Sequence, residues 1–312
     1  MMTQRSKLTA ASRPKGSRSF GERHAPALFL APAVLYLALL SIFPLIFSLT
    51  QSVTNRKLGN DSTGQFVGLQ NYFSLLQDGL FQKAILNTFS VTLWSVLLEL
   101  LIGFFIARLF VSLSGSRLVE VLRAVFILPM MLTPVVSGLL WSFILNPTLG
   151  IVDYVLSALH LPIGAWFSGS KTAMMTLILV NVWQWGPFLM LIIMSGLLSI
   201  PKELYEAAEL DGAHWYHLIR YIELPFLQGV LFIGLILRIV DNFRLFDVVY
   251  AATKGGPSDA TEVVSMYAYR QMFNYSEIGA GSATAIIILI LASVLVALAA
   301  RVLLRGERHA VA

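Results

Sequence analysis

The stretch that decides the fold is SIPKELYEAAELDGAHWYHLIRYIELP, residues 199–225, a polar insert between two long apolar segments. Pro201 suits the first turn of a short helix, because its missing N–H costs nothing there. Gly212 can end that helix in a left-handed conformation. A second short helix is predicted at residues 213–223, before Pro225 opens the next apolar segment. Two short helices between apolar segments make a surface on which a soluble protein can dock.

The composition places the chain in a membrane. Of its 312 residues, 57% are hydrophobic and 12% are charged, whereas soluble domains carry about 45–50% apolar and about 25% charged residues. The absence of cysteine excludes disulfides and thiolate metal ligands. A net charge of +5 would suggest nucleic acid in a soluble chain. Here the basic residues flank apolar segments, and we expect no nucleic-acid partner.

Six segments are long and apolar enough to cross the hydrocarbon core of a bilayer, which takes about 20 helical residues. They lie roughly at residues 28–50, 85–111, 121–145, 173–198, 226–246 and 278–304. We therefore predict an all-α, polytopic membrane protein with six transmembrane helices. Residues 1–24 form a polar tail and residues 25–312 form the transmembrane domain, with the 199–225 loop inside it.

The basic residues predict the orientation. The tail carries one acidic residue, Glu22, against Arg5, Lys7, Arg13, Lys15, Arg18 and Arg23. By the positive-inside rule such a tail is cytoplasmic, and alternation of the spans then makes the 199–225 loop and the C-terminus cytoplasmic too. The tail is too long and polar, and the first span too long, for a simple cleaved signal peptide, so we expect the span to be retained.

A charged stripe lies near the end of the fifth span. Arg238, Asp241, Asn242 and Leu245 follow the i, i+3, i+4, i+7 spacing that shares one helix face. Ionisable groups at membrane depth are costly and usually face a cavity, a partner or the interface. Arg238 and Asp241 can pair along the helix. The stripe is either an ion pair that snorkels to the outer interface or, as we favour, a polar wall of a translocation pathway.

A second stripe lies in the fourth span, where Asn181, Gln184, Trp185 and Phe188 show the same spacing. Amides bond hydroxyl groups and aromatic faces stack on the C–H patches of a sugar ring. The stripe therefore favours a sugar pathway over its alternative, polar contacts that hold transmembrane helices together. Trp183 lies off this stripe.

Other polar residues carry weaker signals. Glu99 in the second span is either a partner for a polar group of a neighbouring helix or a functional acid. Arg244 and Asp247 are expected at the membrane interface. His214 and His217 lack a third ligand, so we predict no metal site.

Catalytic motifs are absent from the sequence. No G-x-x-x-x-G-K-[ST] loop is present to hold ATP, and no G-x-S-x-G or H-E-x-x-H pattern supplies the chemistry of a membrane hydrolase. We predict no catalytic residue and no cofactor bound by this chain.

The 199–225 loop resembles the EAA loop of ABC importer permeases. The resemblance rests on Glu206-Ala207-Ala208, then Gly212, then Ile222-x-Leu224-Pro225. It implies a coupling helix that sits in a groove of a cytoplasmic ATPase. The residues that it assigns to ATPase coupling are Glu206, Ala207, Ala208, Asp211, Gly212, Ile222, Leu224 and Pro225. An ordinary amphipathic elbow at the membrane interface is the alternative, although it needs no Gly or Ile-x-Leu-Pro at these offsets.

The rest of the chain is similar to carbohydrate-type ABC importer permeases of the maltose class. The matching residues include Phe66-Val67-Gly68-Leu69-Gln70-Asn71-Tyr72, Leu128-Pro129, Asn146-Pro147, Asn181-x-Trp183 and Thr253-x-Gly255-Gly256-Pro257. The resemblance implies the type I (MetI-like) permease architecture and sugar contacts in the two stripes. The implied substrate-binding residues are Asn181, Trp183, Gln184, Trp185, Phe188, Arg238, Asp241, Asn242 and Leu245. The fifth-span stripe, with Arg238 and Asp241, is more charged than the maltose-type pattern. A sugar or polyol is therefore expected as the substrate, with maltose itself in doubt.

The resemblance also implies the partners. They are a second permease subunit, two cytoplasmic ABC ATPase subunits that bind ATP and Mg, and an extracytoplasmic solute-binding protein. The second permease is expected to be a homologue in a heterodimer, with a copy of this chain as the alternative. Two other classes remain as alternatives. A secondary transporter requires coupling-ion carboxylates at mid-membrane, for which Glu99 and Asp241 are the candidates. A membrane enzyme requires a nucleophile or metal set that the sequence does not show.

Overall fold

The structure, a computed structural model, describes the backbone of residues 20–59, 64–162 and 164–310, and the side chains of 29–59, 64–162 and 164–301. The chain divides into two compact units, Met1–Phe47 and Ser48–Ala312. Within the described residues the secondary structure is helical apart from two isolated β-bridges. The all-α prediction is therefore confirmed.

Thirteen α-helices form the described part of the chain. They are α1 (Phe20–Ser52), α2 (Gln70–Gln77), α3 (Gly79–Ser112), α4 (Arg117–Ile127), α5 (Pro134–Ile144), α6 (Ile151–Ala158), α7 (Ala173–Leu198), α8 (Lys202–Leu210), α9 (Trp215–His217), α10 (Leu224–Phe243), α11 (Asp247–Ala252), α12 (Val264–Tyr269) and α13 (Ile278–Ala310). A 3-10 turn (Leu128–Met131) follows α4, and π-helical segments (Leu218–Glu223 and Arg270–Asn274) follow α9 and α12.

Among the described residues, five helices are long and apolar enough to span a membrane. They cover Phe29–Ser52, Gly79–Ser112, Ala173–Leu198, Trp215–Phe243 and Ile278–Arg301. These coincide with five of the six predicted spans. The predicted tail boundary at residue 24 falls within α1, which begins at Phe20. The five basic residues at positions 5–18 lie outside the described residues.

The third predicted span, residues 121–145, is broken. α4 continues through the 3-10 turn to Met131, and α5 begins at Pro134 after a bend of 101°. Proline disfavours helical backbone at the residue before it, and Thr133 is extended, with φ −69° and ψ 146°. The bent pair makes the sixth span when it is counted as one crossing.

Helices α3 and α7 pack closely along the centre of the second unit. At Gly103 on α3, an added Cβ would lie 3.0 Å from the backbone N of Met190, so glycine permits the approach of the two backbones. Phe104 of α3, Ile193 of α7 and Leu227 of α10 share one buried apolar cluster. This cluster, which we call the α3–α7–α10 core, joins the three helices beside the 199–225 loop.

The 199–225 loop differs from the prediction in its second half. α8 ends before Gly212, which is left-handed (φ +69°) as expected. However, α9, the π-helical segment and α10 form one continuous rod, Trp215–Phe243. The separate helix predicted at residues 213–223 is therefore wrong. Pro225 lies in the first turn of α10, a position that proline tolerates, so it marks the change from π to α geometry and not a new helix.

The segment between α10 and α13 contains a buried carboxylate, Glu262. Its Oε2 accepts a hydrogen bond of 2.7 Å from Arg270, while its Oε1 has no hydrogen-bond partner among the described residues. Burial raises the pKa of Glu262 to about 7, with Asp259 adding to the rise and Arg270 and Lys83 opposing it. This segment therefore has a group that titrates near neutral pH.

Candidate functional site

The two predicted stripes meet where α7 faces α10. Nδ2 of Asn181 donates a hydrogen bond of 2.6 Å to Oδ1 of Asn242, and Nδ2 of Asn242 donates to the backbone carbonyl of Arg238 at 2.9 Å. Both asparagine side chains are buried. The amide of Asn242 therefore joins its own helix to α7.

Arg238 is buried and bound by carboxylates on two sides. Its Nε and Nη2 donate to the two carboxylate oxygens of Glu99 on α3 at 2.7 and 2.8 Å, and its Nη1 donates to Asp241 at 3.1 Å. The guanidinium carbon also lies 4.8 Å from the ring centre of Trp185, within the range of a cation–π contact. A bidentate Arg–carboxylate pair is among the strongest hydrogen-bonded contacts in proteins. Arg238 therefore connects α10 to both α3 and α7.

The expected pair of Arg238 with Asp241 is present, but Glu99 is the principal partner. The side chain of Asp241 is 44% exposed and is shared with Arg244 at 3.5 Å, whereas Glu99 is fully buried. Arg238 is only 1% exposed, so it does not extend to the surface as snorkelling requires. Of the two interpretations of Glu99, the structure shows the first: it is the partner of a polar group on a neighbouring helix.

A cavity of about 380 Å³ lies beside these contacts. It is lined by six of the predicted residues, Asn181, Trp185, Arg238, Asp241, Asn242 and Leu245, and also by Pro134, Arg244, Phe246 and Asp247. Its volume is within the range of about 300–1,000 Å³ that is usual for small-molecule sites. Because Pro134 begins α5 after the bend, the break in the third span contributes to the wall of the cavity.

Three predicted site residues do not line this cavity. Trp183 packs edge-to-face against Trp141, with ring centres 5.2 Å apart. Nε2 of Gln184 donates to the carbonyl of Leu132 at 2.9 Å, which satisfies a backbone group next to the break before α5. Phe188 packs against the α3–α7–α10 core. Their place in a substrate site stays a prediction without support from the cavity.

The cavity offers both acceptors and donors for hydrogen bonds. Oδ1 of Asn181 is buried and has no hydrogen-bond partner among the described residues. Asp241 and Asp247 supply exposed carboxylates, and Arg244 supplies an exposed guanidinium. With the indole of Trp185, this set can bind hydroxyl groups and an apolar ring face. Arg244 and Asp247, predicted at the membrane interface, thus also line the cavity. Their sequence positions, three and six residues after Asp241, are a signal for this region.

The 199–225 loop presents an exposed face of mixed polarity on a buried base. Six of the residues assigned to ATPase coupling are exposed, and the other two are half-buried: exposed are Glu206, Ala207, Asp211, Gly212, Leu224 and Pro225, and half-buried are Ala208 and Ile222. Ile222 packs on the α3–α7–α10 core together with Tyr205 and Ile219. The loop is therefore anchored on the α3–α7–α10 core through its buried side, while the residues on its other side are exposed.

The two histidines of this loop bond to each other. The backbone N–H of His214 donates to Nδ1 of His217 at 3.2 Å. Within the part of the chain that the structure describes, no three His, Asp or Glu side chains are arranged to hold a metal ion.

Residues 99–309 match the family described as binding-protein-dependent transport system inner membrane component. This match covers more than half of the chain, including the cavity and the 199–225 loop. The chain therefore belongs to this family of membrane permease subunits. It is a multi-pass membrane protein with the architecture of a type I ABC importer permease.

Relatives and a solved structure agree with this assignment. The chain is 34% identical over 226 residues to the trehalose/maltose transport system permease protein MalF of Thermococcus litoralis, covering 72% of this chain and 76% of that protein. It is 30% identical to the sulfoquinovosyl glycerol transport system permease protein SmoG of Agrobacterium fabrum, covering 91% of each. A chain of a bacterial alginate ABC transporter, solved in complex with an alginate pentasaccharide-bound periplasmic protein, shares the fold with TM-score 0.79 and 21% identity over 89% of this chain and 94% of that one.

Proposed function

We propose that the chain is the permease subunit of an ATP-driven importer that moves a sugar or polyol across the membrane. The cavity beside Asn181 and Arg238 is the observation that carries this proposal. It combines an amide oxygen, carboxylates, a guanidinium and an indole ring, the groups that polyhydroxylated molecules need. The relatives named for trehalose, maltose and sulfoquinovosyl glycerol transport support a carbohydrate substrate.

An extracytoplasmic solute-binding protein delivers the substrate, as the family description supports. A second, homologous permease subunit completes the pathway, and the cavity beside Asn181 and Arg238 is the part that this chain contributes. The N-terminus, the C-terminus and the 199–225 loop lie on the cytoplasmic side of a bacterial or archaeal cytoplasmic membrane. The basic tail is the argument for this orientation.

Two ABC ATPase subunits bind ATP and Mg and dock on the exposed face of the 199–225 loop. The continuous rod Trp215–Phe243 supports this assignment, because it carries part of the loop at one end and Arg238 and Asn242 at the other. Movement of the loop can thus reach the cavity as a rigid-body displacement. This chain performs no covalent chemistry.

The structure gives the rival class of secondary transporter less support. Such a transporter requires a membrane carboxylate that is available to a coupling ion. Glu99 is held by Arg238 through both of its oxygens, and Asp241 is shared by Arg238 and Arg244. Neither carboxylate is free of a cationic partner.

The experiment is reconstitution of the chain with its co-purifying subunits in liposomes. The solute-binding protein is first tested against a panel of sugars and polyols, and the ligand that it binds is used for uptake. We expect uptake that requires both internal ATP and the loaded binding protein. Liposomes with a non-hydrolysable ATP analogue serve as the control. Uptake driven by an ion gradient without ATP would refute the proposal.

A further inference from the structure

Helix α3 is attached to the rod Trp215–Phe243 by two separate ion pairs. The first is the contact of Glu99 with Arg238 at the cavity. The second joins Arg108 to Glu223, whose two carboxylate oxygens lie 3.0 and 3.2 Å from Nε of Arg108. The Glu223 side chain is 3% exposed and that of Arg108 is 30% exposed. Both pairs are therefore largely or fully protected from solvent.

The two attachments lie at different levels along the helices. On α3 they are nine residues apart, about 13 Å at the rise of an α-helix, and on the rod they are fifteen residues apart, about 22 Å. The α3–α7–α10 core also holds these helices together, but apolar packing is not directional, and with only one ion pair α3 can still pivot against the rod. Two contacts at different levels restrict both sliding and tilting of α3 against the rod.

The Arg108–Glu223 pair also lies next to α8 of the 199–225 loop. Arg108, Glu223 and Tyr205 of α8 line one cavity of about 420 Å³. Burial, and then the negative charge of Glu223, raises the pKa of Tyr205, so its phenol stays neutral beside the ion pair. Tyr205 packs on the α3–α7–α10 core as well. The ion pair thus lies where α3, α8 and the π-helical segment meet.

We propose that Arg108 and Glu223 are positioning residues for transport: together with Glu99–Arg238, their ion pair makes α3 move with the rod when the loop is displaced. This inference rests on the proposed function. Glu223 is the residue at position x of the Ile222-x-Leu224-Pro225 sequence, and the family resemblance assigns no role to that position.

The consequence follows the packing of the helices. Because α3 and α7 are in close contact at Gly103, displacement of α3 also reaches α7, which carries Asn181. The cavity residues of α7 and α10 therefore shift together. Without the Arg108–Glu223 pair the rod can move against α3, and ATP hydrolysis continues while less substrate is transported.

The test uses the complete reconstituted transporter with Arg108→Gln, Glu223→Gln, Arg108→Lys and the exchange Arg108→Glu/Glu223→Arg. The readouts are assembly with the ATPase, stimulation of ATPase activity by the loaded binding protein, and substrate molecules imported per ATP. Lys57→Gln is the matched control, because it also breaks an ion pair, the one with Glu277, but an exposed one. The side chain of Lys57 is 60% exposed and that of Glu277 is 40% exposed.

We expect uptake per ATP to fall roughly tenfold in the two Gln variants, within the range of about 5- to 150-fold typical of coupling between sites. Arg108→Lys, which keeps the charge but not the Nε–H that both oxygens of Glu223 contact, should fall less, and the exchange variant should recover part of the loss. Lys57→Gln should match the parental transporter. A purely structural role would lower the amount of complex but leave uptake per ATP unchanged.

Two results would overturn the inference. One is parental uptake per ATP in assembled Arg108→Gln and Glu223→Gln. The other, if those variants do not assemble, is parental uptake per ATP in Arg108→Lys. Absence of ATP-driven uptake in the parental complex would overturn the proposed function as well, so the two failures are distinguishable.

Discussion

Removing Arg238 should destabilise the protein chiefly through Glu99. In Arg238→Met the carboxylate of Glu99 remains fully buried and loses the bidentate contact at 2.7 and 2.8 Å. Breaking a buried ion pair in this way costs about 3–5 kcal/mol of unfolding free energy, because an unpaired charge stays buried. The Arg238–Asp241 contact contributes about 0–1 kcal/mol, since Asp241 is 44% exposed and water can replace its partner.

The two contributions can be separated by double variants. Glu99→Leu on the Arg238→Met background removes the unpaired charge, and replacement of a buried ion pair by apolar residues of similar volume is often neutral or stabilising. We therefore expect this second change to restore at least about 2 kcal/mol of the loss. Asp241→Ala on the same background should restore no more than about 1 kcal/mol. The comparison is a pair of double-mutant cycles that share one single variant.

The assay is the free energy of unfolding of the purified chain in mixed micelles, followed by tryptophan fluorescence during titration with denaturing detergent. Lys57→Ala serves as the control, because it removes one partner of an exposed ion pair and should cost at most about 1 kcal/mol. If Asp241→Ala rescues Arg238→Met as well as Glu99→Leu does, the unpaired charge of Glu99 is not the main source of the loss. A loss below about 1 kcal/mol in Arg238→Met itself would likewise refute the prediction.

Three further predictions concern other parts of the molecule. Asn181→Ala and Asn242→Ala should each lower uptake by roughly 2- to 10-fold, the equivalent of one hydrogen bond of about 0.5–1.5 kcal/mol. Assembly, measured by co-purification of the other subunits, should be retained. Parental uptake in both variants would contradict the site. Gly212→Pro should abolish the stimulation of ATPase activity by the loaded binding protein, because proline cannot adopt φ +69°; full stimulation would count against the docking surface. Glu262 has a folded-state pKa raised to about 7 from 4.5, so the folded state holds a proton that the unfolded state releases in this window. Stability should therefore fall as pH rises from 4.5 to 7, by at most about 1.4 kcal/mol per unit, and Glu262→Gln should flatten that slope in thermal unfolding; equal slopes would refute the assignment.

The architecture was largely predictable because its signals are local. Apolar length alone located five spans, and Gly212 predicted the end of α8. The continuity of the rod was missed, because a proline after a short amphipathic stretch usually marks the start of a new helix. Here Pro225 instead lies inside a continuous helix, in the first turn of its α-helical part. The π-helical segment before Pro225 has no sequence signal of its own, and it is what makes the rod continuous.

The two polar stripes differ in how well periodicity predicted them. All four residues of the fifth-span stripe line the cavity, although Leu245 lies beyond the end of α10 at Phe243. Of the fourth-span stripe on α7, only Asn181 and Trp185 do. A stripe identifies a functional face when a helix has one buried side. In the apolar 18-residue stretch of each helix, only 22% of the rod's residues are buried, against 67% in α7, which contacts neighbours on several sides. Gln184 and Phe188 therefore face other partners, although their spacing is the same.

Stability alone does not explain why Glu99 and Arg238 are present. An apolar pair of similar volume would hold α3 against α10 at least as well, because both charges lose their hydration on burial. The directional geometry of the pair supplies what apolar packing lacks: a bidentate contact is satisfied at only one rotation of α10 about its axis. At that rotation Asn242 reaches Asn181, and Asp241, three residues from Arg238, faces the cavity. The Glu99–Arg238 ion pair thus orients the cavity-lining face of α10. This role explains why two charges are buried there despite the free-energy cost of removing them from water.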